Sequence, residues 1–213
     1  MLLDRRRVKF WQKWVFGVMA ALMALWLVSI PVGRWVGCDQ GSDVSKSRDE
    51  RIAALQQQVA ASPRDTAALL QLAESLRARA NFREPGSGEH TADLRAAADA
   101  YERYVKVLAA TKGTKTERRE AERLQVAALE NLVVVYRQLG DYAAVTQVYG
   151  RLTDLRPRDA SYFYDMGKAA ITAQDTNTAL LAFTRFLELD PKAPEADAVR
   201  EWMASARPQE AGQ

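Results

Sequence analysis

Histidine and cysteine each occur once in these 213 residues. That scarcity excludes most chemistry at the outset. A Ser/His/Asp set could draw only on His90, and thiol or His/Cys metal sites lack ligands. No CxxC, HExxH, P-loop or GxGxxG pattern occurs, and the carboxylates follow surface helical spacing, so no acid/base pair stands out. No catalytic, cofactor or metal residue is expected, and His90, in a Gly/Pro-rich stretch, reads as a solvated loop residue. Charge of one sign is also lacking. Of 30 basic and 27 acidic side chains, residues 1–38 take six basic (Arg5, Arg6, Arg7, Lys9, Lys13, Arg34) and one acidic (Asp4). The remainder is close to neutral, with no concentrated basic face for nucleic acid. Apolar/polar alternation over five or more residues is absent too, so no sheet is expected.

One region lacks charge altogether. Lys13 and Arg34 bracket Trp14 to Gly33, a run that as a helix would extend roughly 30 Å, the thickness of the bilayer hydrocarbon. Trp11, Trp14 and Trp35 stand at its ends, as interfacial aromatics do. The spacing predicts a single transmembrane helix over 14–33 after a basic amino-terminal stretch, 1–13. The basic excess before the span orients that stretch to the cytoplasm and residues from about 35 onward outside, in a cytoplasmic (inner) membrane protein. A cleaved signal peptide is the rival reading, opposed by the length of the run. Gly37-Cys38 resembles the end of a bacterial lipoprotein signal, with Trp35 and Arg34 as departures. Cys38 is lipidated, disulfide-bonded or free on these alternatives.

Residues 34–47, with Asp39–Lys46 reading DQGSDVSK, form an expected flexible tether. Helical periodicity then starts with Ile52, Leu55 and Val59, closed by Pro63. Asp65 and its neighbours open a helix with Leu69, Leu72, Ala73 and Leu76 on one side. Asn81–Asp93 (NFREPGSGEHTAD) reads as an inserted loop before Ala97, Tyr101 and Tyr104. Thr114 and Glu117 form a capping-box signature. The charged run 117–123 is a solvated extension of the helix that follows.

The strongest signal is a period. Pro191 stands 34 residues after Pro157. Leu129, Leu132, Tyr136, Tyr149 and Leu152 precede the first, and Phe163, Met166, Gly167, Ala170, Ala179, Phe183 and Phe186 the second. Gly140-Asp141-Tyr142 and Gln174-Asp175-Thr176-Asn177 mark turns within the units. In length and pattern residues 48–207 resemble the tetratricopeptide-repeat family, whose 34-residue helix pairs stack into a solenoid. The expected fold is all-α: the transmembrane helix, then units at about 63–110, 126–159 and 160–193, a capping helix over 194–207, and a frayed tail, 208–213.

What the resemblance implies about function is a binding surface. First helices of each unit line the concave groove in this family. The corresponding positions are Leu70, Glu74 and Arg77; Glu130, Val134, Arg137 and Gln138; and Tyr164, Lys168 and Ile171. Such a mixed surface fits an extended peptide or a partner helix. A subgroup of the family clamps a carboxy-terminal carboxylate, but here only Asn131 matches, with Leu70, Glu74, Ser161 and Asp165 at the other clamp positions. The reading is therefore a non-enzymatic, membrane-anchored scaffold or adaptor in a bacterial envelope complex, with a protein or peptide in its groove. One alternative is a self-associating structural protein, a homodimer through Cys38 or through Gly17 and Ala21 in the span. Another is a non-catalytic subunit of an envelope enzyme or translocation complex.

Overall fold

The computed structural model of the chain describes residues 40–206, with side chains from residue 46. Two compact units divide the chain, Met1–Lys46 and Ser47–Gln213. Eight α-helices follow one another among the described residues: α1 (Gln40–Ala61), α2 (Thr66–Ala80), α3 (Gly88–Ala109), α4 (Lys115–Leu139), α5 (Tyr142–Leu155), α6 (Ala160–Thr172), α7 (Thr176–Leu189) and α8 (Ala196–Ala206).

Local chemistry sets these boundaries. Side-chain caps open six of the helices: Asp65, Ser87, Thr114, Asp141, Asp159 and Asp175 each accept a bond from a first-turn backbone N–H, which satisfies donors the helix leaves orphaned. Thr114 and Glu117 close a reciprocal capping box, as their spacing foretells. α5 and α7 end two residues before Pro157 and Pro191. The proline ring bars its predecessor from the helical region, and Arg156 and Asp190 take extended φ values of −132° and −138°. The turn inside each pair repeats at an offset of 34. Gly140 has φ 71° and Gln174 φ 61°. Their neighbours Asp141 and Asp175 donate back to Tyr136 O and Ala170 O at 3.0 and 2.8 Å, the six-to-one bond of a left-handed helix end.

From α2 to α8 consecutive helices pack as neighbours, and side-chain bonds reveal two layers. Arg77 of α2 donates to Asn131 Oδ1 of α4 at 3.0 Å, and Tyr162 of α6 donates to Glu130 Oε1 of α4 at 2.6 Å. Thus α2, α4 and α6 stand side by side. On the other side Arg151 of α5 reaches both Glu102 oxygens of α3 at 2.8 Å. Between the layers lies an apolar core in two parts. The larger holds Ile52, Leu69, Leu76, Leu94, Tyr101, Leu129, Leu132 and Leu152; each buried leucine contributes about 2 kcal/mol. The smaller holds Ala170, Ala179, Phe183, Phe186, Val199 and Met203. Gly167 explains the tight α6–α7 crossing there, since a Cβ on it would overlap the Phe183 ring.

Three expectations are corrected. The transmembrane helix placed at 14–33, and the inner-membrane location drawn from it, have no counterpart among the described residues. Among the described residues no helix is long and apolar enough to cross a membrane, because each is short or carries charged side chains along its length. The segment 14–33 itself lies outside the described residues, as do Cys38, Gly17, Ala21 and the tail 208–213. The fold class is an all-α array of helix pairs with no membrane-crossing element among the described residues. Second, α1 already begins at Gln40, inside the stretch 34–47 read as a tether. Third, only residues 81–87 separate α2 from α3, where a loop through Asp93 was expected. Ser87 caps α3, and the inserted residues lengthen that helix by about two turns.

That last shift moves His90 from loop to core. It sits in the first turn of α3, 8% exposed, with Nδ1 3.0 Å from Ala80 O. The ring satisfies a carbonyl at the end of α2. It is a structural histidine, not the solvated one expected.

Candidate functional site

The ten positions drawn from the repeat phase lie on α2, α4 and α6. α2 supplies Leu70 and Arg77, both half-buried, and Glu74, exposed. α4 supplies Glu130, Val134, Arg137 and Gln138, all exposed, and α6 supplies half-buried Tyr164 with exposed Lys168 and Ile171. Val134 at 44% and Ile171 at 37% are two of only four large apolar side chains left exposed among the described residues. Leu70 packs against the larger core.

Most polar groups on this face are already engaged with one another. Arg77 binds Asn131, whose amide donates to Ala127 O at 3.0 Å. Gln138 donates to Asn81 Oδ1 at 3.3 Å. Arg137 donates to Tyr149 Oη at 3.0 Å, and that hydroxyl donates to Asp165 Oδ2 at 3.3 Å. Lys168 Nζ stands 3.6 Å from Asp165 and 5.0 Å above the Tyr164 ring, and that ring lies 5.2 Å from Phe186. Charge-assisted bonds of this kind hold side chains in one arrangement. Among the described residues Glu74, Val134 and Ile171 make no such tie, and Leu70 is held by the core alone.

Burial and neighbouring carboxylates raise two hydroxyl pKa values here. Burial, then Asp165, pushes Tyr149 up to about 12, against the opposing effect of Arg137. Burial, then the hydrogen bond to Glu130, raises Tyr162. Both phenols are neutral donors at physiological pH. Tyr101 occupies in the first unit the place of Tyr149 in the second and Phe183 in the third. Its hydroxyl is buried with no partner, and burial raises its pKa. Three aromatics at one repeat position thus have three polar fates: unpaired, doubly bonded and absent.

Sequence reasoning placed Asp165 here only as a clamp position, and missed Tyr162 on α6 and the α5 residue Tyr149, which bonds to this face from beneath. The repeat phase could have flagged Tyr149, since its unit places the ring under the first helix. Nothing local pairs Tyr162 with Glu130, 32 residues away. Among the described residues no group of three or more His, Cys, Asp or Glu could hold a metal ion.

No family model matches the sequence, and no curated protein matches it. Similar solved structures include two described as crystal structures of MamA and of MamA protein. The first is 17% identical, covers 74% of this chain and 97% of that chain, and has a TM-score of 0.29. The second is 16% identical, covers 74% and 89%, and has a TM-score of 0.30. At scores this low the likeness carries no argument about this chain.

Proposed function

We propose that the chain is a tetratricopeptide-like scaffold that binds a protein or peptide on the face of α2, α4 and α6. The supporting observation is that Val134 of α4 and Ile171 of α6, on neighbouring first helices, are both left exposed. Around them the polar side chains are held by mutual bonds. Exposed apolar side chains on a rigid polar surround give a partner area to bury without ordering many rotamers. The mixture of both charge signs favours a peptide or helix over a polyanion.

Photocrosslinking tests this. A benzoyl-phenylalanine at Val134 or Ile171 should give discrete crosslinked species in the native cell. The same probe at Leu181, exposed on α7, should give few. Equal patterns from all three positions would remove the face from the function.

A further inference from the structure

A second surface is independent of that face. A cleft of about 570 Å³ lies between the α1–α2 turn and the last turns of α3. Pro63 and Arg64 line one side, and Arg103, Lys106, Val107 and Ala110 the other. Three cations and no carboxylate face this space. Among the described residues Arg64 and Lys106 have no ion-pair partner. Arg103 meets Asp99 only at 3.9 Å, and that carboxylate is mostly solvent-facing. The carboxylate beside Arg64 in sequence is committed elsewhere: Asp65 caps α2 through Ala68 N at 3.0 Å and accepts from Gln58 at 2.8 Å. Lys106 also complements the negative end of α3, which accounts for one cation but not for the convergence of three.

We propose that this cleft binds an acidic peptide segment of a partner protein. Its volume is in the range of ligand sites, and unneutralised like charges from two elements favour an anionic occupant. Two observations select a peptide over a lone phosphate. Half the lining is apolar (Pro63, Val107, Ala110), and the N-terminal N–H of α2 that would hold a phosphate is already taken by Asp65. A second cleft of about 220 Å³ shares Arg103 and is floored by Val59, Leu72 and Ala100. Asp99 also lines it, beside its ion-pair partner Arg103, so this smaller cleft suits an apolar side chain next to the cations and not a further carboxylate. The recognised pattern is therefore carboxylates flanking an aliphatic residue.

Isothermal titration of the full chain decides it. The probe is an acetylated, amidated peptide with three glutamates around a leucine; its glutamine counterpart is the control. The glutamate peptide should bind at least tenfold more tightly, and its affinity should fall as salt rises. Arg64→Glu with Lys106→Glu should weaken it at least tenfold, and the milder Arg64→Gln with Lys106→Gln severalfold, with melting unchanged. Val134→Asp should leave it unaltered. Absence of binding, equal binding of the glutamine peptide, or unchanged affinity in the charge variants overturns the proposal. So does displacement by inorganic phosphate at stoichiometric amounts, which would make this a phosphate site. Loss in Val134→Asp alone would move the peptide to the other face and leave the scaffold reading standing.

Discussion

Helices α1 to α5 and helices α6 to α8 solve the same packing problem with different chemistry. In the first region bonds between charged or polar side chains cross from helix to helix. Arg79 joins Asp49 of α1 to Asp93 of α3, and Arg83, beyond the end of α2, reaches Asp93 at 2.9 Å. Arg83 also pairs with Glu89, and Arg156 at the end of α5 with Glu122 of α4. In the second region the ion pairs stay within one helix: Asp165–Lys168, Arg185–Glu188 and Asp197–Arg200. Aromatic rings join the helices there instead. Phe183 meets Trp202 edge-on at 5.3 Å and Tyr164 at 6.1 Å. The difference is not one of length, since the fourteen-residue α5 reaches α3 and α4 through Arg151 and Arg156 while the fourteen-residue α7 meets its neighbours through rings. Directional bonds specify one register, while a ring cluster tolerates small shifts.

The comparison can be broken at its aromatic end first. Phe183→Ala should cost about 4 kcal/mol by opening a cavity in the smaller core. Amide exchange should lose protection in α7 and α8 while α2 and α3 keep theirs; uniform loss would show that the regions are not separable. Next comes the charged end. Asp93→Asn should cost about 3 kcal/mol in urea unfolding, since it leaves Arg79 and Arg83 short of their shared anion. A loss below about 1 kcal/mol would mean that water replaces the carboxylate freely.

Two tyrosines sharpen the boundary. Tyr149→Phe should cost about 1 kcal/mol, whereas Tyr101→Phe should gain about 1 kcal/mol, because only the latter removes a buried hydroxyl without a partner. The pH dependence follows from Tyr149. Its pKa is raised from 10.0 to about 12 in the folded state. Its contribution is then complete below pH 10 and is lost as pH climbs toward 12. Alkaline melts of Tyr149→Phe should decline less steeply than those of the parent. The smallest effect concerns Gln174, which holds the left-handed φ of 61° that Gly140 holds one repeat earlier. Gln174→Gly should stabilise by about 0.5 kcal/mol in thermal unfolding.

Features carried by neighbours in sequence were legible. Pro157 and Pro191, the turns at 140 and 174, the Thr114 box and the stripe Ile52–Leu55–Val59 all report on contacts within one or two turns. The α2–α3 junction was not. Gly86 and Gly88 read as loop, yet only Gly86 has a positive φ, and Ser87 caps a helix without the glutamate that would advertise it. The helices that carry the ten expected groove positions were legible from the repeat phase. Their mutual bonds were not, because Arg77–Asn131 and Gln138–Asn81 close over 54 and 57 residues.

Arg79 has a further consequence, in time. Its partners lie 14 residues ahead and 30 behind. All three members of this network are therefore outside once residue 109 has left the ribosome, before α4 has emerged. Short closures form early and long ones wait for their chain. We expect a ribosome-stalled chain whose emerged part ends near residue 113 to resist protease in the Arg79 form and to be digested as Arg79→Ala. Equal digestion of both would show that the order of synthesis has no hold on the order of assembly.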